Sequence, residues 1–167
     1  MIRMLGAMVG ASERAEQLVS DLQAGLDTAC KRAERLSKRP RVFFEEWDDP
    51  LISGIGWVSE LVEIAGGIDI FAERRDQSAA KDRVVTAEEV VAREPDLIIG
   101  SWCGKKFRPE KVIKRPGFDR VPAVQRGALH EIKSPLILQP GPAALTDGLA
   151  ALTAIVADAC GGAGLRA

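Results

Sequence analysis

The sequence has little of what metal sites and disulfide frameworks require. It contains one histidine, His130, and three widely spaced cysteines, Cys30, Cys103 and Cys160. An odd number of cysteines, with no CxxC or Cys/His spacing among them, argues against a disulfide framework and against zinc binding. A single histidine also excludes a multi-histidine metal site within the chain. We therefore predict no metal site and no required cofactor.

Charge and hydropathy exclude two further classes of partner. The 23 Lys and Arg residues are balanced by 24 Asp and Glu residues, whereas a nucleic-acid-binding domain normally carries a basic excess. No apolar run reaches the ~20 residues that span a bilayer. The first residues also lack the sustained apolar stretch and the cleavage site of a signal peptide. We therefore expect no nucleic-acid partner, and a cytoplasmic location if the chain is complete.

A long amphipathic helix is predicted near the N-terminus. Apolar residues recur at intervals of three and four from Ala15 to Leu36, between faces rich in charge, which is the pattern of a helix with one buried stripe. Ser12 is a favourable N-cap residue, and Pro40 follows the basic end of the pattern, where helices commonly stop. The first predicted unit, residues 1–39, comprises a short N-terminal segment and this helix.

Beyond the helix, short apolar strands alternate with helices. The predicted strands lie at 42–44, 97–100 and 129–132. Thr86 and Glu89 match a capping box at the start of one intervening helix. Such alternation is typical of parallel βαβ units whose helices cover both faces of a sheet. We therefore predict the α/β class, with a three-layer αβα lobe over residues 40–167 and a mostly parallel sheet, preceded by the long helix.

Three predicted loops leave the carboxyl ends of these strands, on the side where ligands bind in open α/β sheets. The loops span residues 46–56, 101–108 and 133–141. Trp47, Trp57 and Trp102 all fall in or beside the first two loops. A flat indole buries roughly 150–250 Å² against a large ligand, so we interpret Trp47 and Trp102 as ligand contacts. For Trp57, packing of its helix into the core is an equal alternative.

The other candidate ligand contacts lie in the same two loops. They are Asp48, Leu51, Ile52, Ser53 and Gly54 in the first loop and Cys103, Lys105 and Phe107 in the second. Glycine allows a backbone to approach a ligand closely. Asp48 can hydrogen-bond ligand amides, with shaping of the turn before Pro50 as the alternative. Lys105 and Lys106 suit a carboxylate- or phosphate-bearing ligand, although solvated lysines need no ligand to explain them.

Catalysis is not expected. A nucleophilic cysteine needs a nearby base or a helix N-terminus to lower its pKa. For Cys103 the one histidine, His130, lies in a predicted strand with no Asp or Asn partner in a motif. We predict a ligand-binding module without catalytic residues. Two alternatives of another class stay open: an enzyme of the metal-chelatase kind, and a structural half-domain that self-associates.

Three segments occur in a specific order and spacing: ELVEIAGG at 60–67, EEVVAREPDLII at 88–99 and RPGFDRVPAVQRG at 115–127. With them, the chain resembles the C-terminal lobe and inter-lobe helix of class III substrate-binding proteins, which serve ABC importers of vitamin B12 and iron siderophores. The match covers nearly the whole chain, with the helix at 12–36 as the inter-lobe helix. The loops EEWDDPLISGIGW and GSWCGKKFRPE look most like those of cobalamin-binding members.

The resemblance implies a ligand, a partner and a location. Cobalamin or a related corrinoid would be the transported ligand, with an iron-siderophore or heme-type chelate as the alternative, and the protein would be periplasmic or bound at the cell surface. Members of the family present glutamates to arginines of the membrane permease. This implies the same role for Glu88 and Glu89, of which Glu88 matches the position best.

The resemblance also implies that one part of the binding protein is not in this sequence. The N-terminal lobe of the family has no counterpart here beyond a short helix. The chain would therefore be a fragment of a longer protein, or a truncated relative that completes its site with another lobe or with a second copy in a homodimer.

Overall fold

The computed structural model describes residues 1–161 and begins with two consecutive helices, α1 (Ile2–Met8) and α2 (Ser12–Ala33). The end of the predicted lobe, residues 162–167, lies outside the described residues. The long amphipathic helix is confirmed, although it ends at Ala33 rather than at Leu36. Within the described range, no helix combines the length and the apolar character needed to cross a membrane.

The start of α2 differs from the prediction in one respect. Ser12 is the first helical residue, and the cap position before it is Ala11, whose side chain makes no capping hydrogen bond. The turn between the two helices closes the end of α1, where the Ala11 N–H donates to the carbonyl of Gly6 at 2.7 Å. The same turn brings the two helices together. A Cβ at Gly6 would lie 2.4 Å from the Ala15 Cβ, so this crossing requires glycine.

One sheet forms the centre of the lobe. Its strands are β1 (Arg41–Asp48), β2 (Leu51–Ser53), β3 (Ile68–Asp69), β4 (Leu97–Gly100) and β5 (Leu129–Glu131). The order is β2–β1–β4–β5, and β3 also pairs with β1. The β1–β3, β1–β4 and β4–β5 pairs are parallel and the β1–β2 pair is antiparallel, which confirms a mostly parallel sheet. Because β4 occupies one edge of β1, the strands β3 and β2 share its other edge.

The predicted first loop, 46–56, is largely a β-hairpin. β1 continues through Trp47, and β2 returns beside it with Ile52 opposite Trp47. The strand breaks at the turn expected before Pro50: β1 ends at Asp48, and Asp49 and Pro50 form a tight turn between two paired strands. The candidate residues on both sides of this turn therefore belong to strands.

Helices cover both faces of the sheet, which gives the predicted three layers. After α2 they are α3 (Gly56–Ile64), α4 (Ala87–Ala92), α5 (Pro109–Ile113), α6 (Pro122–Gln125), α7 (Ser134–Ile137) and α8 (Leu149–Ala159), with a π-helical turn at Ala144–Gly148 and 3-10 turns at Ala72–Arg74, Ala80–Arg83 and Phe118–Arg120. Alternate residues of β1 point to opposite faces. Val42 and Phe44 pack with α2, α3, α7 and α8. Phe43 packs with α4, α5 and α6.

A buried ion pair ties β1 to the segment between α5 and α6. The Glu45 side chain is fully buried, and each of its oxygens accepts a hydrogen bond from Arg115 at 2.7 Å. The indole N–H of Trp102 donates to the same carboxylate at 2.9 Å. Burial raises the pKa of the Glu45 carboxyl, and Arg115 and Trp102 act in the opposite direction. Two-point contact with a guanidinium is the geometry that best offsets the desolvation of such a pair.

Arg115→Ala is expected to destabilise the fold strongly, because it leaves the Glu45 carboxylate buried without its counter-ion. Removing one partner of a buried pair typically costs about 3–5 kcal/mol, which denaturant unfolding followed by circular dichroism measures. The matched control is Arg126→Ala, which removes a largely exposed pair with Asp96 and should cost no more than about 1 kcal/mol. Equal effects of the two substitutions would contradict the role assigned to Glu45.

Candidate ligand-binding site

A cleft opens at the carboxyl ends of β4 and β5, the edge at which a ligand is expected. Its volume is about 540 Å³, which lies within the range of small-molecule sites. One wall is built from Trp102, Gly104, Lys105 and Lys106, and the other is the segment 131–135, which runs from the end of β5 into α7. The structure thus brings together the loops that follow two neighbouring strands.

Trp102 is fixed in the interior rather than displayed on a loop. Its side chain is 3% exposed, its N–H is taken by Glu45, and its ring meets that of Phe107 edge to face with centroids 5.0 Å apart. Phe107 packs on Gly100, where a Cβ would lie 2.0 Å from the ring, so glycine is required there. The predicted pair of ligand-facing aromatic rings is therefore corrected: Phe107 is a core residue, and Trp102 offers one edge to the cleft.

Trp47, at the end of β1, is partly exposed and lies against a cation. The Nζ atom of Lys105 is 3.9 Å from the centroid of the Trp47 ring, and the same ammonium pairs with the carboxylate of Asp48. Lys111 approaches Asp48 at 3.5 Å. Burial opposes ionisation of Asp48, but Lys105, a backbone hydrogen bond and the charge of Lys111 together outweigh it and hold the pKa of this carboxyl below its ordinary value. The contact joins the hairpin to the loop after β4.

Three of the four remaining predicted residues of the hairpin are buried, and Ile52 is half-buried. The buried or partly buried ones are Leu51, Ile52, Ser53 and Gly54. The Ser53 hydroxyl donates to the carbonyl of Arg83 at 3.2 Å, and the buried guanidinium of Arg83 pairs with Glu46 at 2.7 Å. A buried guanidinium needs acceptors on the hairpin, so the chain turns inward after Pro50. These four residues do not line the cleft, and their predicted place in a ligand-facing loop is corrected accordingly.

Trp57 is held by the fold as well. It lies in the first turn of α3, and its indole N–H donates to the carbonyl of Ile137 at 2.9 Å. Its ring packs against the core cluster on the α2 face of the sheet. Of the two interpretations that the sequence allows for Trp57, the structure shows packing.

Two exposed residues and one histidine complete the predicted set. Cys103 and Lys106 are exposed on the loop after β4. Burial lowers the pKa of His130, and the charge of Asp158 opposes this shift only in part. Among residues 1–161, no three His, Cys, Asp or Glu side chains are grouped so that they could hold a metal ion.

Lys133 and Ser134 line the cleft but are not among the site residues predicted from the sequence. They follow β5 at the same sheet edge, in the third predicted loop. That loop contains no tryptophan, so nothing in its composition drew attention to it. The useful signal was its position after a parallel strand rather than its residues.

The two glutamates at the start of α4 have different surroundings. Glu89 completes the predicted capping box with Thr86, at 2.8 and 3.2 Å, and pairs with Arg74 at 2.6 Å. Glu88 is exposed. Hydrogen bonds from its own backbone N–H and from Thr86 lower the pKa of the Glu88 carboxyl. Of the two, Glu88 is therefore the one that presents its carboxylate to solvent.

A second groove, of about 380 Å³, lies between α2 and α8. Its lining is mostly small or apolar, with Ala29, Leu145 and Ala154 as examples, and its charged groups are Asp21 and Arg32. It follows the crossing of two helices rather than the ends of strands. The cleft beside Trp102 is therefore the candidate ligand site.

Comparison with known proteins agrees with this architecture. A family model described as "Periplasmic binding protein" matches residues 1–136. An uncharacterised ABC transporter substrate-binding lipoprotein of Bacillus subtilis (strain 168) is 28% identical over 143 residues, which cover 84% of this chain and 44% of that protein.

Solved structures show the same fold. A possible iron-binding periplasmic protein from Staphylococcus epidermidis has a TM-score of 0.78 at 22% identity. The match covers 93% of this chain and 59% of the Staphylococcus protein. For a periplasmic heme-binding protein from Roseiflexus sp. RS-1 the TM-score is 0.73 at 23% identity, with coverage of 93% and 61%. For the periplasmic vitamin B12-binding protein of Vibrio cholerae it is 0.56 at 20% identity, with coverage of 90% and 53%.

The chain spans about half the length of these relatives, whose names describe them as periplasmic proteins or as a lipoprotein. The predicted α/β fold and the resemblance to ABC-importer substrate-binding proteins are confirmed. The expectation of a binding protein rather than an enzyme agrees with the nature of the matched family. Because the family model covers most of the sequence, the chain belongs to the periplasmic binding protein family.

Proposed function

We propose that the chain is the C-terminal lobe of an ABC-importer substrate-binding protein, and that the cleft beside Trp102 is one wall of its ligand site. The observation that carries this proposal is the position of the cleft, at the carboxyl ends of the parallel strands β4 and β5. Ile132 and the edge of Trp102 give it apolar surface, and lysines stand at its rim. Apolar walls with a few convergent polar groups are typical of small-molecule sites.

The ligand of the proposed site is a metal chelate. Solved structures with this fold include proteins named for binding heme and vitamin B12 and for Fe³⁺-hydroxamate transport. Cobalamin and other corrinoids therefore stand beside heme and iron-siderophore complexes as candidates. All of these ligands are large and partly apolar, which suits a cleft with an indole edge and a partly exposed Trp47 beside it.

We propose that a second lobe or a second copy of the chain completes the ligand site. Helix α1 carries an apolar surface, which we call the α1 face. Its exposed residues are Met1, Met4, Leu5, Met8 and Val9. Apolar patches of this kind mark interaction surfaces. Because the relatives are longer than this chain, we propose that a second lobe covers the α1 face, with a second copy of the chain as the alternative occupant.

Titration with cyanocobalamin, hemin and ferrichrome, followed by tryptophan fluorescence, tests the proposed function. We expect quenching by at least one chelate, with an affinity in the micromolar range or weaker. One wall buries far less than the roughly 70–90% of ligand surface that a complete site buries. A flat signal with all three chelates at high concentration would contradict direct binding by this chain.

The location of the site is tested with a variant that fills the cleft. Pro135→Phe adds bulk at the start of α7, on the cleft wall, and should weaken binding about tenfold, or about 1.4 kcal/mol. Gln139→Phe adds the same bulk at an exposed position beyond α7 and outside the cleft, and should leave the affinity unchanged. If both variants bind like the parent protein, the cleft is not the site.

Glu88→Lys tests permease docking. We propose that Glu88 pairs with cationic side chains of the importer permease. Exposed ion pairs are weak but steer association, so the substitution should slow association with the nanodisc-embedded permease by about fivefold and leave chelate binding unchanged. Surface plasmon resonance measures this rate. Glu110→Lys, at an exposed position of α5, is the control, and equal rates for the two variants would argue against docking through Glu88.

The α1 face is tested by light scattering. An uncovered apolar surface should drive self-association of the isolated chain, so Met4→Ser combined with Met8→Ser should lower its average mass at a given concentration. Ile113→Ser removes an exposed apolar side chain elsewhere, 48% exposed, and should not change the mass. A parent protein that stays monomeric at high concentration would exclude the second copy as occupant.

A further inference from the structure

Positively charged groups outnumber negatively charged groups in the lining of the cleft. Three lysines, Lys105, Lys106 and Lys133, and one glutamate, Glu131, line it. Lys105 is neutralised by its ion pair with Asp48. The Glu131 carboxylate accepts a hydrogen bond from the backbone N–H of Phe107 at 3.1 Å, so it is partly occupied by the loop that forms the opposite wall.

The two other lysines have no such compensation. Lys106 and Lys133 form no ion pair with any residue from 1 to 161. Both are exposed, and they stand on the two different segments that build the cleft, one after β4 and the other after β5. With Glu131 as the one carboxylate of the lining beside them, the ammonium groups of Lys106 and Lys133 leave the cleft with an excess of positive charge.

We infer that the chelate bound at this site is an anion whose acidic groups pair with Lys106 and Lys133; the inference rests on the proposed function. A ligand entering the cleft removes water from the two ammonium groups. An uncharged chelate with amide side groups replaces that water poorly, and removing water from an unpaired charge is unfavourable. An acidic chelate replaces the water with charge-assisted hydrogen bonds, which are about twice as strong as neutral ones.

This charge pattern narrows the chemistry of the ligand. Chelates with free carboxylates, such as porphyrins with propionate groups or carboxylate siderophores, match the two lysines. Corrinoids whose side chains are fully amidated do not. The cleft therefore favours heme-type chelates and acidic iron siderophores over cobalamin.

Two matched pairs of chelates test the inference on the full chain. Dicyanocobyrinic acid carries carboxylates where dicyanocobinamide carries amides, and hemin carries carboxylates where hemin dimethyl ester carries esters. We expect the acidic member of each pair to bind about tenfold more tightly at low ionic strength. Each of the two lysines should contribute roughly a threefold gain in affinity, which is typical of a partly exposed ion pair. Added salt should reduce this advantage because it screens the charges.

Two double variants test whether the tighter binding of the acidic chelates arises at the cleft. Lys106→Gln combined with Lys133→Gln should abolish it, whereas Lys31→Gln combined with Lys81→Gln removes the same charge from exposed positions outside the cleft and should preserve it. Equal affinity within each pair overturns the inference and leaves the proposed function intact. An equal loss in both double variants also overturns it, because the overall charge would then explain the preference. Absence of binding by all four chelates overturns the inference and the proposed function together.

Discussion

The carboxylate of Glu45 is the contact on which the ligand edge of the lobe depends. It lies inside the sheet on β1 and binds Arg115, which precedes α6, and Trp102, which follows β4. A buried carboxylate without partners is strongly unfavourable, so the loop after β4 has to bring its tryptophan inward. Phe107 then packs between Trp102 and Gly100. The apolar part of the cleft is therefore a consequence of an ion pair beneath it.

Much of the fold could be predicted because it depends on neighbouring residues. The apolar stripe that starts at Ala15 and the capping box at Thr86 are patterns within three or four positions, and both are present in the structure, the stripe as far as the end of the helix at Ala33. The hairpin at Asp49 and Pro50 is different. A strand end and a tight turn both suit these residues, and the choice depends on Arg83, which pairs with Glu46 from 37 positions away. Pairing at that distance leaves no periodic signal.

The candidate site was predicted less completely for the same reason. Tryptophans after strand ends identified the correct edge of the sheet. Whether an indole contacts a ligand or packs in the core depends on partners that are distant in the sequence. The partner of Trp102 is Glu45, 57 positions earlier, and the partner of Trp57 is Ile137, 80 positions later. Lys133 is distinguished by the absence of an acidic partner among the described residues, and this property can be seen only in the three-dimensional structure.

The two edges of the sheet affect how molecules of the protein associate at high concentration. One edge of β1 is divided between β2 and β3, which have three and two residues, and at the far side of the sheet β5 has three. Unpaired strand edges are templates for β-pairing between molecules, and natural proteins limit them by keeping edge strands short. Fibril-like growth along this sheet is therefore disfavoured. Contacts between copies would form through helix surfaces, which can separate again without unfolding of the lobe.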